Sequence, residues 1–135
     1  MGPTSALRAF CWIGAALDAL AVVALLSPAV SRQMLGVDVT ATAELLYAMR
    51  TGAALMLGWT LLLVWAALRP LERRAVVLLT VLPVILGLMA TEVIAVRGGF
   101  FPAAHAAPLL GMQTVLGLFG LWAWARATGV PGEIG

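Results

Sequence analysis

The chain has 135 residues, of which 63% are hydrophobic and only 10% charged, with a mean hydropathy of +1.06. A soluble domain carries about 25% charged residues, so this composition excludes a water-covered globule, and the length fits a single domain. The net charge of +2 comes from eight arginines and no lysine, scattered rather than gathered in a basic stripe, which argues against nucleic acid as a partner. The one cysteine, Cys11, excludes an internal disulfide and a cysteine-rich metal site.

A bilayer core takes about 20 mostly apolar residues of helix. Four runs meet that length: residues 7–30, 45–68, 75–96 and 106–125. The predicted fold class is therefore all-α, a single integral membrane domain built as a four-transmembrane-helix bundle. In the first run Cys11 reads as a small buried hydrophobe. Ser27-Pro28-Ala29 could follow a signal peptide, but Asp18 in the middle of the apolar stretch and the length of the run favour a retained span. A polar loop, residues 31–44, leads to the second run. The sequence RPLERR (residues 69–74) forms the next turn, with Pro70 stopping the helix. Pro83 inside the third run removes one backbone hydrogen bond and bends that helix. RGGFFPAAH (residues 97–105) turns into the fourth run, and a short polar tail, TGVPGEIG, is expected to fray.

Arginine placement sets the orientation. Four spans put the N-terminus, the second connection and the C-terminus on one side, with Arg8, Arg69, Arg73, Arg74 and Arg126. The other side has Arg32 and Arg97, with Arg50 just inside the second span. Trp12, Trp65, Trp122 and Trp124 fall near the arginine-rich boundary, and Tyr47, Phe100 and Phe101 near the opposite one. This predicts an N-in, C-in topology, with the arginine cluster of the second connection as a topology signal that also contacts lipid headgroups.

Each span carries a polar side chain that hydrocarbon disfavours: Asp18, Arg50, Glu92 and Gln113. At about 1.5 Å per residue all four fall between the midplane and the outer boundary, where His105 starts the fourth helix. Tyr47, Arg50, Thr51 and Ala54 share one stripe. Gly58 below them is read as letting a neighbouring helix approach, and Gly117 and Gly120 do the same on the fourth span. Arg50 and Glu92 lie at similar depth, so an ion pair is the cheapest arrangement. Asp18, deeper, either reaches Arg50 or stays neutral and donates a hydrogen bond. The plain readings are a register-fixing clasp for Arg50 and Glu92, interhelical glue for Gln113, and an interfacial helix start for His105. One histidine and unclustered carboxylates make a poor haem or metal site, so no metal is assigned and any cofactor is left unknown.

The second span, AMRTGAALMLGWTLLL (residues 48–63), with an arginine near its start followed by small residues and a glycine, resembles the small four-helix bacterial DoxX-like membrane proteins. The preceding SPAVSRQMLGVD and the basic turn after the span are similar in style. The resemblance covers the first three helices. It implies a multi-pass protein of the bacterial cytoplasmic (inner) membrane, in a family with members linked to quinone or thiol redox complexes, and it carries over only Arg50 and its following glycines.

Two function classes compete, with a third behind them. The first is a binding protein or accessory subunit that holds a lipophilic small molecule (quinone- or isoprenoid-like) in a polar pocket of the outer half, with Tyr47, Arg50, Gln113 and His105 as ligand-binding residues. The second is an intramembrane acid–base enzyme, an isomerase, cyclase or hydrolase, with Asp18 and Glu92 as catalytic residues. The third is a small proton-coupled transporter that uses Asp18. Partners would be membrane lipids, the lipophile, and a second copy of the chain or a larger membrane complex.

Overall fold

The computed structural model describes residues 1–35, 42–100 and 102–129; Gly36, Asp38, Phe101 and the tail from residue 130 lie outside the described residues. The elements run α1 (Pro3–Leu26), α2 (Pro28–Leu35), α3 (Ala43–Leu68), α4 (Ala75–Leu79), a π-helical segment (Thr80–Ile85), α5 (Leu86–Arg97) and α6 (Ala103–Thr128). Four stretches are long and apolar enough to cross a membrane: α1, α3, the continuous Ala75–Arg97 and α6. The protein is an all-helical, multi-pass membrane bundle.

Helix boundaries follow local chemistry. The first run divides at Ser27, whose backbone is extended (φ −124°, ψ 105°). Proline disfavours helical backbone in the residue before it, and Pro28 then opens a short second helix, so the 31–44 loop begins later than the sequence suggests. The Ser31 hydroxyl donates to Ala24 O at 2.6 Å across this break. Thr42 caps α3, its hydroxyl accepting from Leu45 N at 3.2 Å. α5 ends in a Schellman arrangement: Phe100 N bonds Ala95 O at 3.0 Å, Gly99 N bonds Val96 O at 3.1 Å, and Gly99 takes φ +72°, the left-handed backbone that glycine adopts freely. Pro83 does not break the third span. It sits within the π segment, where one wider turn absorbs the missing donor.

Packing is uneven along the bundle. Ala6, Leu7, Phe10, Cys11 and Ala15 of α1 pack with Leu63, Ala66 and Ala67 of α3, Val76, Val77, Val81 and Ile85 of the third span, and Ala123 and Ala127 of α6. All of these lie toward the end that holds the α1 N-terminus and the α6 C-terminus. Small residues permit the approach. A Cβ on Gly14 would sit 3.1 Å from Leu63 Cδ1, and one on Gly120 would sit 2.6 Å from Phe10 Cε2. Gly58, in contrast, has nothing within 4 Å of where its Cβ would be, so it admits no neighbouring helix within the chain.

The same end is tied by arginines. Arg8 Nε donates to Ala67 O at 3.3 Å, and Arg74 donates to Ala127 O at 3.1 Å. Arg73 donates to Trp65 O, and its guanidinium lies 3.7 Å from the Trp65 ring centroid. These side chains meet the last-turn carbonyls of α3 and α6, which have no partner within their own helices. The arginines read as topology signals thus also cap helices. The Arg69–Glu72 pair, 3.4 Å and exposed on both sides, adds little stability.

Candidate functional site

At the opposite end the helices separate. α1 packs along α3 and against α6, and α6 carries α5, but no Cα of α5 comes within 8 Å of one in α1 or α3. α5 accordingly has no buried residue. Among described residues in this half, only Ala24, Ala53, Ala106 and Gln113 are buried. Every polar residue singled out in the sequence lies here. By residue count Arg50 is about 10 Å along α3 from its start, and Asp18 about 12 Å from the end of α1.

The structure joins two of these residues. Gln113 on α6 is 8% exposed, and its Nε2 donates to Glu92 Oε1 on α5 at 2.8 Å. Glu92 Oε2 and Gln113 Oε1 are buried and have no hydrogen-bond partner among the described residues. Hydrocarbon offers no substitute partner, so this pair leaves two acceptor atoms unserved inside the seam between α5 and α6.

No family model, curated protein or solved structure matches this chain. The site is read from its own geometry.

The sequence paired Glu92 with Arg50, and the structure pairs it with Gln113. α3 and the third span are joined by one turn and part company toward α5, whose Cα atoms all lie beyond 8 Å of those in α3. Arg50 is exposed, with no hydrogen bond or ion pair to any described residue. Tyr47, 74% exposed, and His105, also exposed, lie on α3 and α6 beyond the buried layer. Asp18 is half-buried on α1 and makes no hydrogen bond within the described residues. It reaches neither Arg50 nor Glu92, and α1 and α5 do not touch. An acid–base dyad of Asp18 and Glu92 therefore has no direct contact to rest on.

A polar link that the sequence reading left out stands at the base of the open half. Trp59 Nε1 donates to Thr80 Oγ1 at 3.2 Å, and that hydroxyl donates in turn to Val76 O at 2.8 Å. It joins α3 to the first residue of the π segment. The available signal was a threonine three residues before an in-span proline, where a side chain bonded to the preceding turn often accompanies a helix irregularity.

Proposed function

We propose that this chain is a membrane-embedded binding protein, or the binding subunit of a larger membrane complex, that holds a lipophilic small molecule by its polar end. The site is the half of the bundle in which α5 stands apart from α1 and α3. The observation that carries this reading is the split in packing. A continuous apolar core fills one half, whereas Asp18, Arg50, Glu92 and Gln113, the polar residues within the spans, lie in the half that the chain does not fill by itself. Ligand sites are mostly apolar with a few convergent polar groups, and a gap between membrane helices admits its ligand sideways from lipid. Glu92 and Gln113 hold the ligand's polar end; Asp18 on α1 and Arg50 on α3 are the other ionisable groups within the spans of this half.

In this reading the arginine-rich end faces the cytoplasm, both termini are inside, and the membrane is the bacterial inner one. The open half then lies in the outer leaflet. The test is thermal unfolding of the purified protein in detergent with and without long-chain isoprenoids, alkylphenols and quinones. A dose-dependent rise in Tm with at least one class is expected. No rise with any class, together with no lipophile in an organic extract of the purified protein, would sink the reading.

A further inference from the structure

We infer that the Glu92–Gln113 pair receives a hydrogen-bond donor, so the polar end of the bound molecule is a hydroxyl or amine rather than a ketone, ester or ether. This rests on the binding reading above and specifies the head group that reading left open.

The atoms of the pair are unequally served. The amide nitrogen of Gln113 already donates to Glu92 Oε1 at 2.8 Å. What remains buried and unpartnered is Glu92 Oε2 and Gln113 Oε1. The amide oxygen of Gln113 can only accept, whereas Glu92 Oε2 accepts when ionised and carries an O–H when protonated, so the donor that is missing in either state is one for Gln113 Oε1. No described residue donates to either atom. Arg8, Arg73 and Arg74 are committed to carbonyls at the other end. Arg50 is on a helix that does not touch α5. The hydroxyls of Thr91 and Thr114 each donate to the preceding turn of their own helix. A buried acceptor with no donor costs free energy that a ligand O–H or N–H recovers.

A ketone or ether brings no donor for Gln113 Oε1, whereas a hydroxyl can donate to it and also accept. A site of this kind discriminates strongly, because the analogue without the hydrogen leaves buried groups unpaired, whereas a change in alkyl length costs little. The approach is through the α5–α6 seam. α5 is held there only by α6 and by the π segment beneath it, so the pair is covered by a single helix contact.

The experiment uses the full chain in detergent and a matched pair of probes: a para-alkylphenol and its methyl ether with the same alkyl chain. Apparent Kd is obtained from the Tm shift for wild type, Gln113→Leu and Glu92→Gln. In wild type the phenol is expected to bind about tenfold more tightly than the ether, which corresponds to one hydrogen bond. In Glu92→Gln the ratio should fall toward one, because its amide N–H serves Gln113 Oε1; Gln113→Leu removes one acceptor but frees Glu92 Oε1, so it tests stability and overall affinity rather than the ratio. Should Gln113→Leu fail to fold, Glu92→Gln, which keeps the shape of the side chain, carries the comparison. Equal affinity for phenol and ether in wild type overturns the donor inference and leaves the binding reading intact. A phenol preference that persists in Glu92→Gln also overturns it, because the preference then arises elsewhere. If neither probe nor any other lipophile binds, the binding reading itself fails.

Discussion

Gly120 of α6 faces the edge of the Phe10 ring so closely that a Cβ there would lie 2.6 Å from Phe10 Cε2 and 2.8 Å from Val81 Cγ2. Three spans meet at this point. Phe10 is fully buried and Val81 nearly so, which leaves neither side chain room to give way. Gly120→Ala should therefore destabilise the bundle by about 1–3 kcal/mol, the usual range for overpacking a filled core. Denaturant or thermal unfolding in detergent measures it. Phe10→Leu should recover part of the loss in the double variant, because residues in contact do not behave additively. Gly58→Ala is the control, with open space around its Cβ, and should be neutral or slightly stabilising.

The Trp59–Thr80 hydrogen bond at 3.2 Å ties α3 to the π segment at the level where the bundle begins to open. Thr80→Val keeps the shape and removes the acceptor, leaving the indole N–H unpaired in an apolar layer. A loss of roughly 1–3 kcal/mol is expected from that orphaned donor. Thr80→Ser keeps the hydroxyl and should lose much less. Trp59→Phe combined with Thr80→Val should cost less than the sum of the two single changes, since the second change then has no bond left to break. Additive losses would mean that the bond contributes nothing.

The spans were legible because length and apolar content suffice to define a membrane helix, and the depth of each polar residue follows from the rise per residue. Gly120 could be read in the same way, as a small residue on the stripe below Gln113. The partner of Glu92 could not. Pairing by charge presumes that all helices are mutual neighbours, but α1, first in sequence, packs between α3 and α6 and so separates Arg50 from α5. Gly58 misled for a related reason: a small residue marks a possible approach and does not say whether a helix is there. Pro83 announced an irregularity, but not whether the helix would kink or widen to a π turn, as it does over Thr80–Ile85. Ser27 and Thr80 hydrogen-bond locally and marked no function; they fixed the break before α2 and the base of the open half.

Arg74 separates the two roles of the arginine-rich end. Its side chain donates to Ala127 O at 3.1 Å at the end of α6, where a cation also meets the negative end of the helix dipole. Arg74→Lys keeps the charge that orients the span and loses the planar geometry of the guanidinium. Reporter fusions at the two termini should place both in the cytoplasm for wild type and for Arg74→Lys alike. Unfolding should show a loss of about 0.3–1 kcal/mol in Arg74→Lys, growing in Arg74→Ala. Termini on opposite sides of the membrane would contradict the even number of spans, and both outside would contradict the arginine rule for this chain.

Arg50 gives the sharpest separation between folding and binding. It is exposed inside a membrane span and makes no hydrogen bond or ion pair within the described residues, while an arginine in a span costs about 2.5–3.5 kcal/mol on insertion scales at the helix centre. Arg50→Leu should accordingly leave Tm of the ligand-free protein unchanged or raised, within roughly 0.5 kcal/mol of the wild-type stability, and should improve insertion. Lipophile affinity should fall if the ligand's polar end reaches across from α5 toward α3. The contrast is Gln113→Leu, which leaves the Glu92 carboxyl without its only donor and should lower the stability of the free protein as well as binding. A marked loss of ligand-free stability in Arg50→Leu would show that the arginine holds the fold together, and would remove it from the site.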